Sequence, residues 1–191
     1  TSNSVQRRNQ KVVEIAPAPA LDDALRQCII DAAVRFARKE GYQSLGTFEF
    51  LVNASGDAPE FVFIEANARL QVEHTVTEEV TGVDLVQSQI RVAAGEELED
   101  MHLAQGAKPR GYAIQARVNM ETLNQDGSVV PASGRLTAYE TPNGPGVRTD
   151  GFGYVGYQTS TAFDSLLAKV VVSSAGPDFS AVCAKMVRAL A

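Results

Sequence analysis

Cysteine is scarce in this sequence, since Cys28 and Cys183 are the only two among 191 residues. At this separation they form neither a disulfide framework nor a metal-binding spacing. Both fall in apolar helical patterns, so we expect them to be core residues of a protein from a reducing compartment. The corresponding localisation is the cytoplasm, or the mitochondrial matrix if the organism is a eukaryote.

Long apolar runs are also lacking, because no stretch approaches the roughly 18 residues of a membrane span. No signal peptide precedes the first motif, so we expect no membrane partner. A formal net charge of -6 argues against a nucleic-acid partner, although Arg7, Arg8 and Lys11 form a basic patch able to hold phosphate groups. The first residue is Thr1 rather than Met and the last residues fit a helix, so both ends are expected to be cut.

Hydrophobic residues make up 45% of the chain and charged residues 21%, which is typical of a folded globular protein. The length suits one large domain or two small ones. Apolar residues at spacings of three and four predict helices over residues 21–41, 84–95 and 179–190.

Charged and small residues over 96–108 separate this part from a strand-rich remainder. We place a domain boundary in that connector, between residues 1–106 and residues 107–191. Alternating apolar and polar residues predict strands over 111–120 and 134–140, in the rhythm of a small antiparallel sheet.

Two strand patterns, TFEFLVN and EFVFIEAN, flank a loop with the Gly, Asp and Pro of a hairpin. If the loop is symmetric about Asp57, Glu49 and Glu65 lie directly opposite on neighbouring strands, where like charges repel. Asn67 points to the same face. Two carboxylates and an amide oxygen form an all-oxygen site suited to Mg²⁺ or Mn²⁺. The alternative is a solvated polar face, with the register shifted by one residue.

The segment IEANARLQVEHT, residues 64–75, alternates polar and apolar residues strictly. In an extended chain its polar residues line one side of a single ribbon. These residues are Glu65, Asn67, Arg69, Gln71 and Glu73. His74 falls on the apolar side, so we expect a structural histidine there, and we expect His102 on the surface of the connector.

Six motifs carry a resemblance, and in chain order they are SVQRRNQKVVEIAPAP, GTFEFL, FIEANARLQVEHTVTEEVTGVDLV, RVAAGE, ARVN and FDSLLAKV. In order and spacing they resemble the biotin carboxylase component of biotin-dependent carboxylases, over nearly the whole chain. The run RLQVEHTVTEEVTG is highly specific. The QRRNQK variant and the PNGPGVRTDGFGY segment look more like urea carboxylases or long-chain, multifunctional acyl-CoA carboxylases than like the free-standing bacterial enzyme.

The resemblance implies an α+β fold, with the C-terminal half of an ATP-grasp domain followed by a truncated biotin carboxylase C-terminal domain of mainly antiparallel strands with helices. It implies a ligase that forms carboxyphosphate from ATP and bicarbonate, and then carboxylates N1' of carrier-bound biotin. The implied cofactors are ATP, Mg²⁺ or Mn²⁺, and biotin on a carrier protein. The implied partners are the N-terminal half of the carboxylase, the biotin carboxyl carrier domain, the carboxyltransferase and a second copy of the chain, since Asp164 resembles a position near the family's dimer interface.

The resemblance also implies roles for single residues. The implied metal ligands are Glu49, Glu65 and Asn67. The implied bicarbonate and biotin site consists of Arg69, Gln71, the Val72 backbone and Arg117, with Glu73 as general base and with Arg69 and Arg117 also catalytic. The implied nucleotide-binding residues are Gln6, Asn9, Lys11, Leu51 and Ile64. Without the resemblance, Arg117 reads as a surface ion pair and Lys11 as part of a solvated basic segment.

Two departures and one absence qualify the resemblance. Asn9 stands where many members have His, and Gln115 replaces an acid that often precedes the position of Arg117 by two residues. No N-terminal α/β domain or glycine-rich lid precedes the motifs, so the chain alone is expected to bind nucleotide poorly and to be inactive. Two other functions stay open: a non-catalytic module for dimerisation or carrier docking, and another ATP-grasp ligase.

Overall fold

The computed structural model describes residues 1–7, 10–53, 60–160 and 162–191. The helices are Asp23–Lys39 (α1), His74–Thr81 (α2), Leu85–Ala93 (α3) and Phe179–Leu190 (α4). The strands are Asn3–Arg7 (β1), Gln10–Ala16 (β2), Thr47–Asn53 (β3), Glu60–Asn67 (β4), Tyr112–Asn119 (β5), Glu121–Leu123 (β6), Val129–Pro131 (β7), Val147–Gly151 (β8) and Leu166–Ser174 (β9). This mixture confirms the expected α+β class.

The largest sheet has five strands in the order β1-β2-β5-β9-β8, and every neighbouring pair is antiparallel. Strand β2 comes from the first half of the chain and β5 from the second, and Val13 pairs with Ala116 between them. The sheet therefore runs across the predicted boundary between residues 1–106 and 107–191, which stays a prediction.

Both faces of this sheet are covered by helices. Helix α4 packs on one face, where Val182 and Met186 join Val170 and Val172 in a buried cluster. Helix α2 packs on the other face through Val76 and Val80, which contact Ala113 and Val171. Successive strand residues point to opposite faces, so the uninterrupted valines of β9 fill both cores.

Three helix starts follow the signals in the sequence. The carboxylates of Asp22, Asp84 and Asp178 accept hydrogen bonds from backbone N–H groups at the starts of α1, α3 and α4. Helix α2 ends at Gly82, whose φ of 72° is the left-handed conformation that glycine adopts without strain. Within the described ranges, no helix is long and apolar enough to cross a membrane.

The predicted hairpin is confirmed as a separate two-stranded sheet of β3 and β4, although its loop at residues 54–59 lies outside the described residues. Glu49 pairs with Glu65 as predicted, but next to the loop the register is one residue away from the predicted one, with Asn53 opposite Glu60. A bulge between Glu49 and Phe50 accounts for the difference. Helix α1 contacts the hairpin through Phe36, whose ring stacks on Phe63 with centroids 5.4 Å apart.

The predicted ribbon over residues 64–75 is wrong beyond Asn67. Residues 68–73 form an irregular turn, and α2 begins at His74. Burial of Val76 and Val80, four residues apart, favours a helix here, because that spacing places both side chains on the face that meets the sheet. Alternation alone did not distinguish a strand from a turn that leads into a helix.

Two smaller expectations are also corrected. Cys28 is exposed, because Ile29 is the buried residue of α1. Cys183 on α4 is half-buried and packs against the buried cluster that contains Val182 and Met186. In place of a strand over 134–140, the structure has a single bridge between Arg135 and Gln158.

Candidate functional site

Four charged side chains from separate motifs meet near one end of the inner strands β2 and β5 of the large sheet. Lys11 Nζ donates hydrogen bonds to Glu49 Oε1 at 2.8 Å and to Glu73 Oε1 at 2.6 Å. The other oxygen of Glu73 accepts from Arg117 at 3.3 Å. All four side chains are largely buried, with exposures between 10% and 20%. We call these four residues the charged cluster.

The sheet and α2 place these groups. Lys11 lies on β2 and Arg117 on the neighbouring β5, while Glu73 is the residue from which α2 starts. A buried hydrogen bond fixes that start, because Thr75 Oγ1 donates to Gln115 Oε1 at 2.5 Å. Thr75 is 0% exposed and Gln115 2%. Gln115, which stands where the family often has an acid, therefore ties α2 to the strand that carries Arg117.

The predicted metal ligands lie together at the base of the hairpin. Asn67 Nδ2 donates to Glu65 Oε1 at 2.8 Å and to Glu49 Oε1 at 3.3 Å. Gln71 Nε2 also donates to Glu49 Oε1, at 3.2 Å. Among the described residues, no three His, Cys, Asp or Glu side chains are arranged to hold a metal ion, and the predicted ligands are two carboxylates and one amide. This donor set fits Mg²⁺, which usually takes few protein ligands and completes its shell with water and phosphate oxygens.

Several hydrogen bonds and nearby charges together reverse the effect of burial on the pKa values of Lys11 and Glu49. Burial raises the pKa of Glu49, but hydrogen bonds from Lys11 and Gln71 outweigh it and leave the pKa lowered. Burial lowers the pKa of Lys11, but hydrogen bonds to Glu49 and Glu73 leave it raised. The interactions therefore favour a charged pair at neutral pH.

Glu14 is a buried acid beside the charged cluster that the sequence reasoning missed. It is 5% exposed, and Ser2 Oγ donates to its Oε1 at 2.7 Å. Burial raises the pKa of Glu14 to about 7, and the nearby charge of Glu73 adds to the rise. The available signal was an acid inside the apolar strand VVEIA.

The residues predicted to bind bicarbonate border the charged cluster. Arg69 is exposed, and its guanidinium donates to the backbone oxygen of the next residue, Leu70, at 3.2 Å. Gln71 Oε1 and Arg117 Nε are buried without a hydrogen-bond partner among the described residues. Buried polar atoms normally have partners, so these two favour a polar ligand at this place. Arg117 thus forms a largely buried ion pair with Glu73, whereas its sequence context suggests an ion pair on the surface.

The predicted nucleotide-binding residues do not all lie in the charged cluster. Lys11 belongs to the charged cluster. Gln6 donates to Ser4 Oγ at 3.3 Å, while Leu51 and Ile64 are apolar side chains that are 63% and 55% exposed. Asn9 lies outside the described residues. A binding role for these five residues stays a prediction.

His74 has the structural contact expected of it, since its Nδ1 lies 2.7 Å from the backbone oxygen of Gln71. That contact lies within the turn at residues 68–73 and helps to close it.

Comparisons with known families agree with this arrangement. The family described as carbamoyl-phosphate synthase L chain, ATP binding domain, matches residues 1–101. The family described as biotin carboxylase C-terminal domain matches residues 115–191.

Two curated relatives cover almost the entire chain. Pyruvate carboxylase 1 from Caenorhabditis elegans is 50% identical over 189 residues, which are 98% of this chain and 16% of that protein. A biotin carboxylase from Nostoc sp. is 48% identical over 188 residues, which are 98% of this chain and 40% of that protein. The chain thus spans less than half the length of either relative.

Solved structures give the same result. A single-chain, multi-domain long-chain acyl-CoA carboxylase aligns with a TM-score of 0.91 and 45% identity, over 98% of this chain and 20% of that one. The biotin carboxylase domain dimer of Hydrogenobacter thermophilus 2-oxoglutarate carboxylase, solved with MgADP and bicarbonate, aligns with a TM-score of 0.86 and 40% identity, over 98% of this chain and 39% of that one.

Fold and site together define the C-terminal part of an ATP-grasp domain joined to a biotin carboxylase C-terminal domain. The chain belongs to the biotin carboxylase family, the ATP-grasp component of the biotin-dependent carboxylases. The resemblance recognised in the sequence is thereby confirmed.

Proposed function

We propose that this chain is the C-terminal part of a biotin carboxylase that uses ATP, Mg²⁺ and bicarbonate to form carboxyphosphate and then carboxylates carrier-bound biotin. Residues 1–106 would complete an ATP-grasp domain and residues 107–191 would form the C-terminal domain. The observation that carries the proposal is Glu73, a buried carboxylate held between Lys11 and Arg117. Since the chain spans only part of its relatives, the activity is proposed for the assembled enzyme and not for the chain alone.

In this proposal Glu73 is the general base that removes the proton of bicarbonate. A base must lie within hydrogen-bond reach of the proton that it takes. Lys11 and Arg117 each hold one oxygen of the carboxylate, at 2.6 Å and 3.3 Å, which fixes its direction. Arg69 offers an exposed guanidinium, whose paired donors match the oxygens of bicarbonate. Gln71 and the N–H of Val72 would complete the bicarbonate site.

Arg117 serves both halves of the reaction in this proposal. Its Nε is buried and has no partner among the described residues, so it is available to an anionic ligand. A fixed donor aimed at developing negative charge stabilises a transition state because it needs no reorganisation. Arg117 would therefore bind carboxyphosphate first and the enolate-like ureido oxygen of biotin afterwards.

The metal and nucleotide residues follow from the same proposal. Glu49, Glu65 and Asn67 would hold Mg²⁺ or Mn²⁺, which supplies charge neutralisation at the ATP phosphates when bound. Lys11 would contact the phosphates from the charged cluster. Gln6 and Asn9 would hydrogen-bond the nucleotide, and Leu51 and Ile64 would cover the adenine, which would account for their exposure here.

The partners implied by this function are the N-terminal part of the enzyme, the biotin carboxyl carrier domain and the carboxyltransferase. The H. thermophilus neighbour is described as a domain dimer, which supports a second copy as a further partner. The named relatives act on different acceptors, so the proposal ends at carboxybiotin. The compartment stays proposed as the cytoplasm or the mitochondrial matrix, and three of the relatives are mitochondrial enzymes by name.

A chimera tests the proposal, with residues 1–191 replacing the matching segment of the Nostoc biotin carboxylase. We expect bicarbonate-dependent ADP release with Mg²⁺ and free biotin. Replacing the base by Glu73→Gln should lower that rate by about 100-fold or more. The matched control is Glu140→Gln at an exposed acid, which should leave the rate unchanged. A folded chimera without activity would instead support a non-catalytic module.

A further inference from the structure

Lys169 on β9 is a buried lysine to which the proposed reaction assigns no role. Its residue exposure is 8%, and its Nζ donates to the backbone oxygen of Val72 at 2.9 Å. The nearest acid, Asp150, is 3.5 Å away. Burial lowers the pKa of the Lys169 ammonium in spite of the raising effect of Asp150. Placing a charge here is therefore costly for the fold.

The position of Lys169 in the sheet adds to that cost. Lys169 lies directly opposite Arg117 in the pairing of β5 with β9. Like charges at opposite positions destabilise a sheet, whereas Asp150, which lies opposite Lys169 on the other neighbouring strand β8, offsets this repulsion. A well-packed apolar residue often stabilises a buried site as well as an ion pair does, or better. The ion pair with Asp150 offsets part of the cost of this buried charge, and the bond to Val72 is the other contact of the Lys169 ammonium among the described residues.

The contact that Lys169 makes points to the charged cluster. The oxygen of Val72 belongs to the peptide group that joins Val72 to Glu73, and this group is planar. Holding the oxygen fixes the plane from which Glu73 continues. Arg117, on the neighbouring strand, holds the carboxylate of the same residue. Two adjacent cations thus hold the backbone before the proposed base and the side chain of that base.

The turn at residues 68–73 needs such support. The turn is irregular. Glu73 is the N-cap residue of α2, and its side chain makes no capping hydrogen bond within the described part of the chain. Two backbone bonds at the junction of this turn with α2 are long, at 3.3 Å from His74 N to Gln71 O and 3.4 Å from Val76 N to Glu73 O. The 2.9 Å bond from Lys169 is shorter than either of them.

We propose that Lys169 is a positioning residue, whose bond to the Val72 carbonyl holds the turn so that Glu73 and the Val72 N–H face bicarbonate. This inference rests on the proposed function. A residue that hydrogen-bonds and orients a directly binding group, as the outer partners of metal ligands do, typically changes activity by about 10- to 100-fold when it is replaced. We expect an effect of this size for Lys169.

The test uses the same chimera with Lys169→Met, which removes the donor, and Lys169→Arg, which keeps one. Lys169→Met should raise KM for bicarbonate and lower kcat, so that kcat/KM for bicarbonate falls about 10- to 100-fold while KM for MgATP stays unchanged. Lys169→Arg should restore most of the loss. The matched control is Lys185→Met, because Lys185 also donates to backbone oxygens, of Pro145 at 3.1 Å and of Ser173 at 2.6 Å.

A purely structural role predicts a different result. In that case kcat falls with the folded fraction in Lys169→Met, both KM values stay constant, and the positioning role is overturned. If Lys169→Met does not fold, Lys169→Leu takes its place, since it is also neutral and has no donor for the Val72 oxygen, and an unchanged KM for bicarbonate in it overturns the role equally. A folded but inactive wild-type chimera overturns the proposed function and the positioning role together. An active chimera in which Lys169→Met leaves kcat/KM for bicarbonate unchanged overturns only the positioning role.

Discussion

Glu14 lies inside β2 among apolar residues, and its carboxyl group links the proposed site to the pH dependence of folding. Serine and charged groups from several elements surround it: Ser2, Lys11, Glu49 and Glu73. Burial raises its pKa from the ordinary 4.5 to about 7. Between these two values the folded chain binds a proton that the unfolded chain has released. The stability that Glu14 contributes at low pH is therefore lost as the pH rises toward about 7.

Glu14→Gln should remove this dependence, because glutamine does not titrate. As the pH rises from about 5 to about 8, the free energy of unfolding of the variant should increase relative to that of wild type by about 2 to 3 kcal/mol. Urea denaturation of the 191-residue chain at both pH values measures the difference. Glu140→Gln, at an exposed acid, should show no such gain. Equal pH slopes for wild type and Glu14→Gln would contradict the raised pKa.

At the scale of elements, α2 and β5 are joined by the buried hydrogen bond between Thr75 and Gln115. Thr75→Val should cost about 1 to 3 kcal/mol in free energy of unfolding, since it leaves the Gln115 amide oxygen buried without its donor. The double variant with Gln115→Leu should cost less than the sum of the two single changes, because it removes both polar groups. Urea denaturation of the three variants completes the cycle, with Thr122→Val at an exposed threonine as control. Additive costs would show that the two side chains do not interact.

The elements also show how far sequence reasoning reached. The pairing of Glu49 with Glu65 agrees with the prediction, but the strand pairs next to the loop, such as Asn53 with Glu60, are one residue out of the predicted register. The bulge between Glu49 and Phe50 that brings the two acids opposite each other could not be predicted, because loop symmetry gives no sign of an extra residue within the strand. The turn at residues 68–73 was mistaken for a strand because its polar residues alternate and its helix starts only at His74.

The charged cluster could not be predicted from the spacing of its residues in the sequence. Glu73 lies 62 residues from Lys11 and 44 residues from Arg117 along the chain, so only pairing in the sheet and packing of α2 bring them together. The resemblance to biotin carboxylases supplied these residues. It did not supply Glu14 or Lys169, whose importance follows from burial and contacts that appear only in three dimensions.

On the scale of the whole molecule, the large sheet makes the two family-matched parts of the chain interdependent. Strand β2 pairs with β5 through Val13, Glu14, Ile15 and Ala16. Val13 and Ile15 also pack against the buried cluster under α4, which lies in the second part. Without residues 1–106, β5 would lose a neighbouring strand and expose an unpaired edge.

We therefore expect residues 1–106 and 107–191 to be poorly soluble when expressed separately and to form a soluble complex when expressed together. Size-exclusion chromatography with light scattering measures the complex. Ile15→Asp in the first part should prevent association, because it buries a charge under α4. Val5→Asp on β1 should not, since Val5 is 58% exposed. If each part is soluble and monomeric and they do not associate, the sheet across the boundary does not hold them together, and the predicted boundary would separate two independent domains.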